Sequence, residues 1–164
     1  MTLPSTLTAP PAGLTPAQRE AFDRDGFLVL PGALTPEQVA HFIGVVDGLD
    51  AEERSRRDLD SFATVEIRNA IARPGGEALL PLLDWPATFP LLAEILGWNI
   101  QLTTSHVFVR TPNLGEQTSF KAIDWHADGP NPSFPTIGGV SPRLYAKIGY
   151  FLTDLSAPDR GNLR

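Results

Sequence analysis

Cysteine is absent from this chain. Disulfide scaffolds, thiolate metal centres and cysteine nucleophiles are thereby excluded, while the compartment stays open. A bound metal would have to use histidine, aspartate or glutamate, and histidine is scarce, with 3 in the whole chain. Positive charge is also short: 13 Lys and Arg against 19 Asp and Glu give a net charge of -6. That balance argues against a surface that tracks phosphates, so nucleic acid is set aside as a partner. No apolar run approaches the ~20 residues needed to cross a bilayer. The opening "MTLPSTLTAPPAG" lacks the basic region and apolar core of a signal peptide. Residues 1–14 are therefore expected to be a flexible tail, and the protein to be soluble and cytoplasmic. A phosphate-cradling glycine loop and a serine nucleophile elbow are missing as well.

What is present suits one domain with a real core: 164 residues, 42% of them hydrophobic. "LTPAQREAFDRDG" and "LTPEQVAHFIGVV" look like a repeat but read better as two helix starts. Thr15 and Thr35 serve as N-caps, Pro16 and Pro36 fit the first helical position, and Gln18 and Gln38 complete capping boxes. Gly26 ends the first helix, and "FLVLPG" reads as a short buried strand. The second helix, expected over 35–48, buries Val39, Phe42, Ile43 and Val46 and runs into "DAEERSRRDLD", read as a solvated helix end or loop. A phosphate or carboxylate clamp by Arg54, Arg56 and Arg57 is the lesser reading. "TVEIRNAI" fits strand or helix, and "PATFPLLAEILG" fits a short amphipathic helix ended by Gly97. Beyond Gly97, "NIQLTTSHVFVRTPN", "SFKAIDWHAD" and "LYAKIGYFLTD" are rich in β-branched and aromatic residues and read as strands. Helices first and strands second predict an α+β fold, with helices on one side of a mainly antiparallel sheet or barrel.

The chemistry concentrates in "AIDWHADGPNP", residues 122–132. In an extended segment, residues two apart share a face, so the His126 imidazole and the Asp128 carboxylate can converge on one point. Such a corner suits a borderline divalent ion, and two histidines with one carboxylate around open positions are characteristic of non-haem Fe(II) oxygenases. The triplet alone is a weak signal, since a His-Asp pair can simply hydrogen-bond in a loop. Its setting adds weight: Trp125 precedes it and a Gly/Pro-rich loop follows, the kind of segment that carries function. His41 reads as a partly exposed helix residue. His106 shares a strand face with Thr104 and Phe108, and its simplest reading is a histidine satisfied by a hydrogen bond on the inner sheet face.

In order along the chain, "FDRDGFLVLPGALTPEQVA", "SHVFVRTP", "WHADG" and "KIGYFLTDLSAPDRGNLR" resemble the phytanoyl-CoA dioxygenase family of Fe(II)- and 2-oxoglutarate-dependent oxygenases. The resemblance spans roughly residues 16–164. It implies a double-stranded β-helix, a jelly roll of the cupin kind with N-terminal helices, of which residues 15–164 are the N-terminal portion. It also implies Fe(II) as cofactor and 2-oxoglutarate and molecular oxygen as cosubstrates. By position, His126 and Asp128 become the first two iron ligands, and His106, Lys147 and Tyr150 become candidates to line the cosubstrate pocket. The family's third histidine, and the arginine that pairs with the far carboxylate of 2-oxoglutarate, belong after the position of "GNLR". The expected activity is hydroxylation of a small organic substrate, with no obligate protein partner evident, and residues 1–164 alone are expected to be inactive. The alternative is a non-catalytic small-molecule-binding relative of the same fold, or an incomplete gene product.

Overall fold

In the computed structural model of the chain, the described residues are 13–110, 138–139, 143–157 and 160. Two helices open them: α1, Pro16–Asp25, and α2, Pro36–Arg57. Both begin as their sequences dictate. The Thr15 and Thr35 hydroxyls accept from the amides of Gln18 and Gln38, at 3.2 and 3.3 Å. The glutamine side chains return the bond to the cap amides, at 2.9 and 2.8 Å. These reciprocal bonds satisfy amides that a helix start otherwise leaves without partners. Gly26 closes α1 in the left-handed conformation, φ 79°, which glycine adopts without a Cβ penalty.

The second helix runs past the expected end at 48 to Arg57. Its last turns are held by ion pairs at helical spacing, Asp50 with Arg54 and Glu53 with Arg56, at 2.7 and 2.6 Å. Glu53 lies among the buried residues of the helix, and the Arg54 side chain is only 15% exposed. The reading of "DAEERSRRDLD" as a solvated end is therefore corrected for these two positions. Arg54 also donates to the carbonyls of Asp60 and Ala63, at 2.5 and 2.9 Å, and so folds the following loop back onto the helix.

"TVEIRNAI" divides at Asn69. Strand β1 covers Val65–Arg68, Asn69 turns the chain with φ 53°, and a 3-10 turn follows at Ala70–Ala72. β1 pairs antiparallel with β2, His106–Val109, with Val65 opposite Val109 and Arg68 opposite His106. Alternation gives the sheet two unlike faces. Val65 and Ile67 are buried, with Val107 and Val109 packed beside them. Glu66, Arg68, His106 and Phe108 lie on the other side.

The core forms where α2 meets the inner face of this sheet: Phe42 and Leu49 join Val65, Ile67, Ala70 and Leu79. Leu79 comes from a second 3-10 segment, Gly76–Leu82, which sits tightly on the first; a Cβ at Gly76 would lie 1.8 Å from the Ala70 carbonyl oxygen. Trp85 closes this end, its ring edge-on to Phe42 at 6.1 Å and its indole N–H donating to the Ala33 carbonyl at 2.8 Å. Helix α3, Phe89–Leu96, buries Leu91 and Ala93 and ends at Gly97, as its sequence predicts.

Other expected strands depart from the prediction. Residues 27–30 of "FLVLPG" belong to neither helix nor strand, and Phe27 and Val29 are 64% and 74% exposed. Their continuous apolar run finds no neighbouring strand among the described residues, and a strand without a partner leaves its backbone groups to water. Among the described residues of "NIQLTTSHVFVRTPN", 99–110, strand is confined to His106–Val109. "LYAKIGYFLTD" contains no strand, although Leu152 packs against the core. "SFKAIDWHAD" lies outside the described residues.

Candidate functional site

The strongest sequence candidates, His126 and Asp128, lie outside the described residues. Three others are placed. His106 stands on β2, on the sheet face turned away from α2 rather than on the core-facing side, with its side chain 28% exposed. Two neighbours hold the imidazole: Glu66 Oε1 lies 3.5 Å from Nδ1, and the Phe108 ring meets it edge-on at 5.8 Å. The same Glu66 oxygen accepts from Arg68 Nε at 3.0 Å, and the Arg110 guanidinium lies 5.6 Å from the centre of the Phe108 ring. This face therefore combines an imidazole, a carboxylate, two guanidinium groups and an aromatic ring.

Tyr150 is half-buried on the other side of the core. Its hydroxyl donates to the Leu82 carbonyl at 2.9 Å and lies 2.7 Å from the Thr88 hydroxyl. A phenol has one proton to give, so with that proton on Leu82 the Thr88 hydroxyl donates to the phenol oxygen in preference to the Trp85 carbonyl, which lies farther off at 3.4 Å. Burial pushes the Tyr150 phenol above its ordinary range, and the Thr88 bond partly opposes that. Both functions of the hydroxyl are thus engaged in tying residues 143–157 to the junction between the second 3-10 segment and α3. Lys147, three residues earlier, is exposed.

His41 is exposed on α2, edge-on to Phe42 at 5.2 Å, the position expected of an ordinary helix residue. The arginine clamp considered for Arg54, Arg56 and Arg57 has internal partners instead. Arg54 holds Asp50 and the two loop carbonyls. Arg56 grips both oxygens of Glu53, at 3.0 and 2.6 Å, and Arg57 approaches the same carboxylate at 3.7 Å. The Arg56 bond holds the Glu53 carboxyl below its usual range; burial opposes this, and the charges of Arg56, Arg73 and Arg57 reinforce it. Among the described residues, no three histidine, aspartate or glutamate side chains gather into a group able to hold a metal ion.

Two partners were not identified from sequence. Glu66 reaches His106 only through the register of β1 against β2, and no local pattern announces that register. Thr88 reaches Tyr150 across 62 positions of sequence. A buried threonine beside a helix start reads as a cap, yet Thr88 makes no capping bond with its side chain. No family model matches the chain, and no curated protein or solved structure matches it either. Among the described residues, no helix is long and apolar enough to cross a membrane.

Proposed function

We propose that residues 15–164 belong to a cytoplasmic non-haem Fe(II)- and 2-oxoglutarate-dependent dioxygenase of the phytanoyl-CoA dioxygenase kind, which hydroxylates a small organic substrate. The observation that carries this reading is the triplet His126-Ala127-Asp128, placed between "SHVFVRTP" and "KIGYFLTD" in the family's order. Its donors, a neutral imidazole and a carboxylate in a chain without thiols, fit a divalent iron. His126 and Asp128 would hold the ion. Bound there, iron supplies the coupling of 2-oxoglutarate decarboxylation to oxygen activation.

The remaining roles are assigned to His106, Lys147 and Tyr150. His106 belongs to the sheet face opposite α2, the side on which a jelly roll with helices packed outside it keeps its interior. In that position the imidazole is available to a cosubstrate carboxylate, with Glu66 steadying its Nδ1 edge. Lys147 brings positive charge to the segment that Tyr150 anchors. Tyr150 itself acts through position, since its hydroxyl is engaged by Leu82 and Thr88.

The test is succinate release with Fe(II), ascorbate and 2-oxoglutarate, from residues 1–164 continued with the family's third histidine and its arginine. His126→Ala and Asp128→Ala should each reduce turnover to background with an unchanged circular dichroism spectrum, because removing a ligand removes iron rather than core packing. Succinate formation near the wild-type rate in His126→Ala would refute the reading. Turnover by residues 1–164 alone that disappears in His106→Ala would instead make His106 the third ligand.

A further inference from the structure

The first part of the described chain is attached to the rest by charge rather than by burial. None of the residues of α1 is buried. On one side of the helix, the Glu94 carboxylate of α3 accepts from the Arg19 guanidinium and from the Leu14 amide just ahead of the N-cap. One turn further along, Arg143 donates to Asp23 at 2.6 Å, and its guanidinium lies 5.4 Å from the centre of the Phe22 ring. These latches are open to water: the side chains of Arg19 and Glu94 are 44% and 32% exposed, and those of Arg143 and Asp23 are 46% and 48% exposed.

The connection after α1 is only partly covered: Leu28 and Leu30 are half-buried, whereas Phe27 and Val29 are exposed. Firm attachment begins at Ala33, whose carbonyl Trp85 holds, and at Leu34, which packs against the core. Gly32, immediately before them, has φ 70°, a conformation in which glycine moves without side-chain strain. The stretch thus has a hinge at one end and ionic contacts along its length. Exposed ion pairs hold weakly, and salt screens them.

We propose that residues 13–32 form an arm, latched to α3 and to the segment beginning at Arg143 by these two charge pairs, which rising ionic strength releases as a unit while α2 and the sheet stay folded. The proposal is independent of the dioxygenase reading. It concerns a conformational equilibrium of the chain itself, in which the latched state predominates at low salt and a locally open state gains population as the pairs are screened.

Hydrogen exchange followed by mass spectrometry on residues 1–164, at low and high sodium chloride, tests it. Amides of α1 should exchange about tenfold faster at high salt, the size of effect two exposed pairs together can supply. Amides of α2 around Phe42 and Leu49 should not change. The double variant Glu94→Gln/Arg143→Gln should show the faster α1 exchange already at low salt and respond little to added salt. The arm is refuted if α1 exchanges at one rate across the salt range, if α2 accelerates in step with it, or if the double variant keeps the wild-type salt response.

Discussion

Glu53 shows how a single carboxylate can organise a helix end. Its side chain is 8% exposed, yet it carries a charge, because Arg56 bonds both of its oxygens and Arg57 lies close by. A carboxyl whose folded value is depressed contributes stability that is fully present above its unfolded value, ~4.3, and is lost as pH falls through the folded value. Glu53→Gln should therefore lower stability by about 1–2 kcal/mol near neutral pH, a figure limited by the exposure of Arg56. The gap from wild type should narrow as the medium is acidified below about pH 4. Urea unfolding across that range measures both effects. A deficit independent of pH would mean that packing, not charge, fixes the residue. From sequence, Glu53 was one acid among five in a charged run, and nothing local distinguished it from its neighbour Glu52. Burial by tertiary packing made the difference.

At the scale of elements, the two capping boxes invite a paired experiment. Thr15 and Thr35 stand in nearly identical phrases and make the same bonds. Loss of an N-cap oxygen typically costs about 1 kcal/mol of helix stability. Thr35→Ala should impose that cost on the whole molecule, because α2 carries Phe42 and Leu49 into the core. Thr15→Ala should leave the global unfolding midpoint almost unmoved, because α1 buries nothing. Equal shifts in the two denaturation curves would show α1 to be part of the cooperative unit. The caps, the glycine ends of α1 and α3, and the prolines at the first helical position were legible in the sequence because each acts over three or four residues. "FLVLPG" was misread for the complementary reason: its short apolar run suits a strand, but strand formation depends on a neighbour the local pattern does not name.

The whole molecule, over its described residues, depends on one contact between a helix and a two-stranded sheet. Ile67 is 1% exposed and sits within it, beside Val65 at 0%. Ile67→Ala should destabilise by about 2–5 kcal/mol, the range for deleting a buried aliphatic side chain, and should shift circular dichroism and tryptophan fluorescence transitions together. Separated transitions would mean that the tryptophans report on a unit other than the sheet. The sequence left β1 open between strand and helix and marked β2 only within a longer run rich in β-branched residues; their mutual register was not visible, and the proximity of Glu66 to His106 follows from register alone. The triplet His126-Ala127-Asp128 stands out as a candidate because H-x-D spacing is a local pattern, and it lies outside the described residues.

The Arg54 guanidinium also acts as a ruler. It fixes three points at once: a carboxylate one turn back along its own helix and the carbonyls of Asp60 and Ala63. The path from the end of α2 to β1 is thereby counted residue by residue. One residue added between Asp60 and Ala63 would carry the second carbonyl about 3.3 Å out of reach, and the phase of β1 with it, turning Val65 and Ile67 toward water. Loops on protein surfaces usually accept insertions readily. This one is a spacer of set length, and changes in length are better tolerated at residues 27–30, which belong to neither helix nor strand.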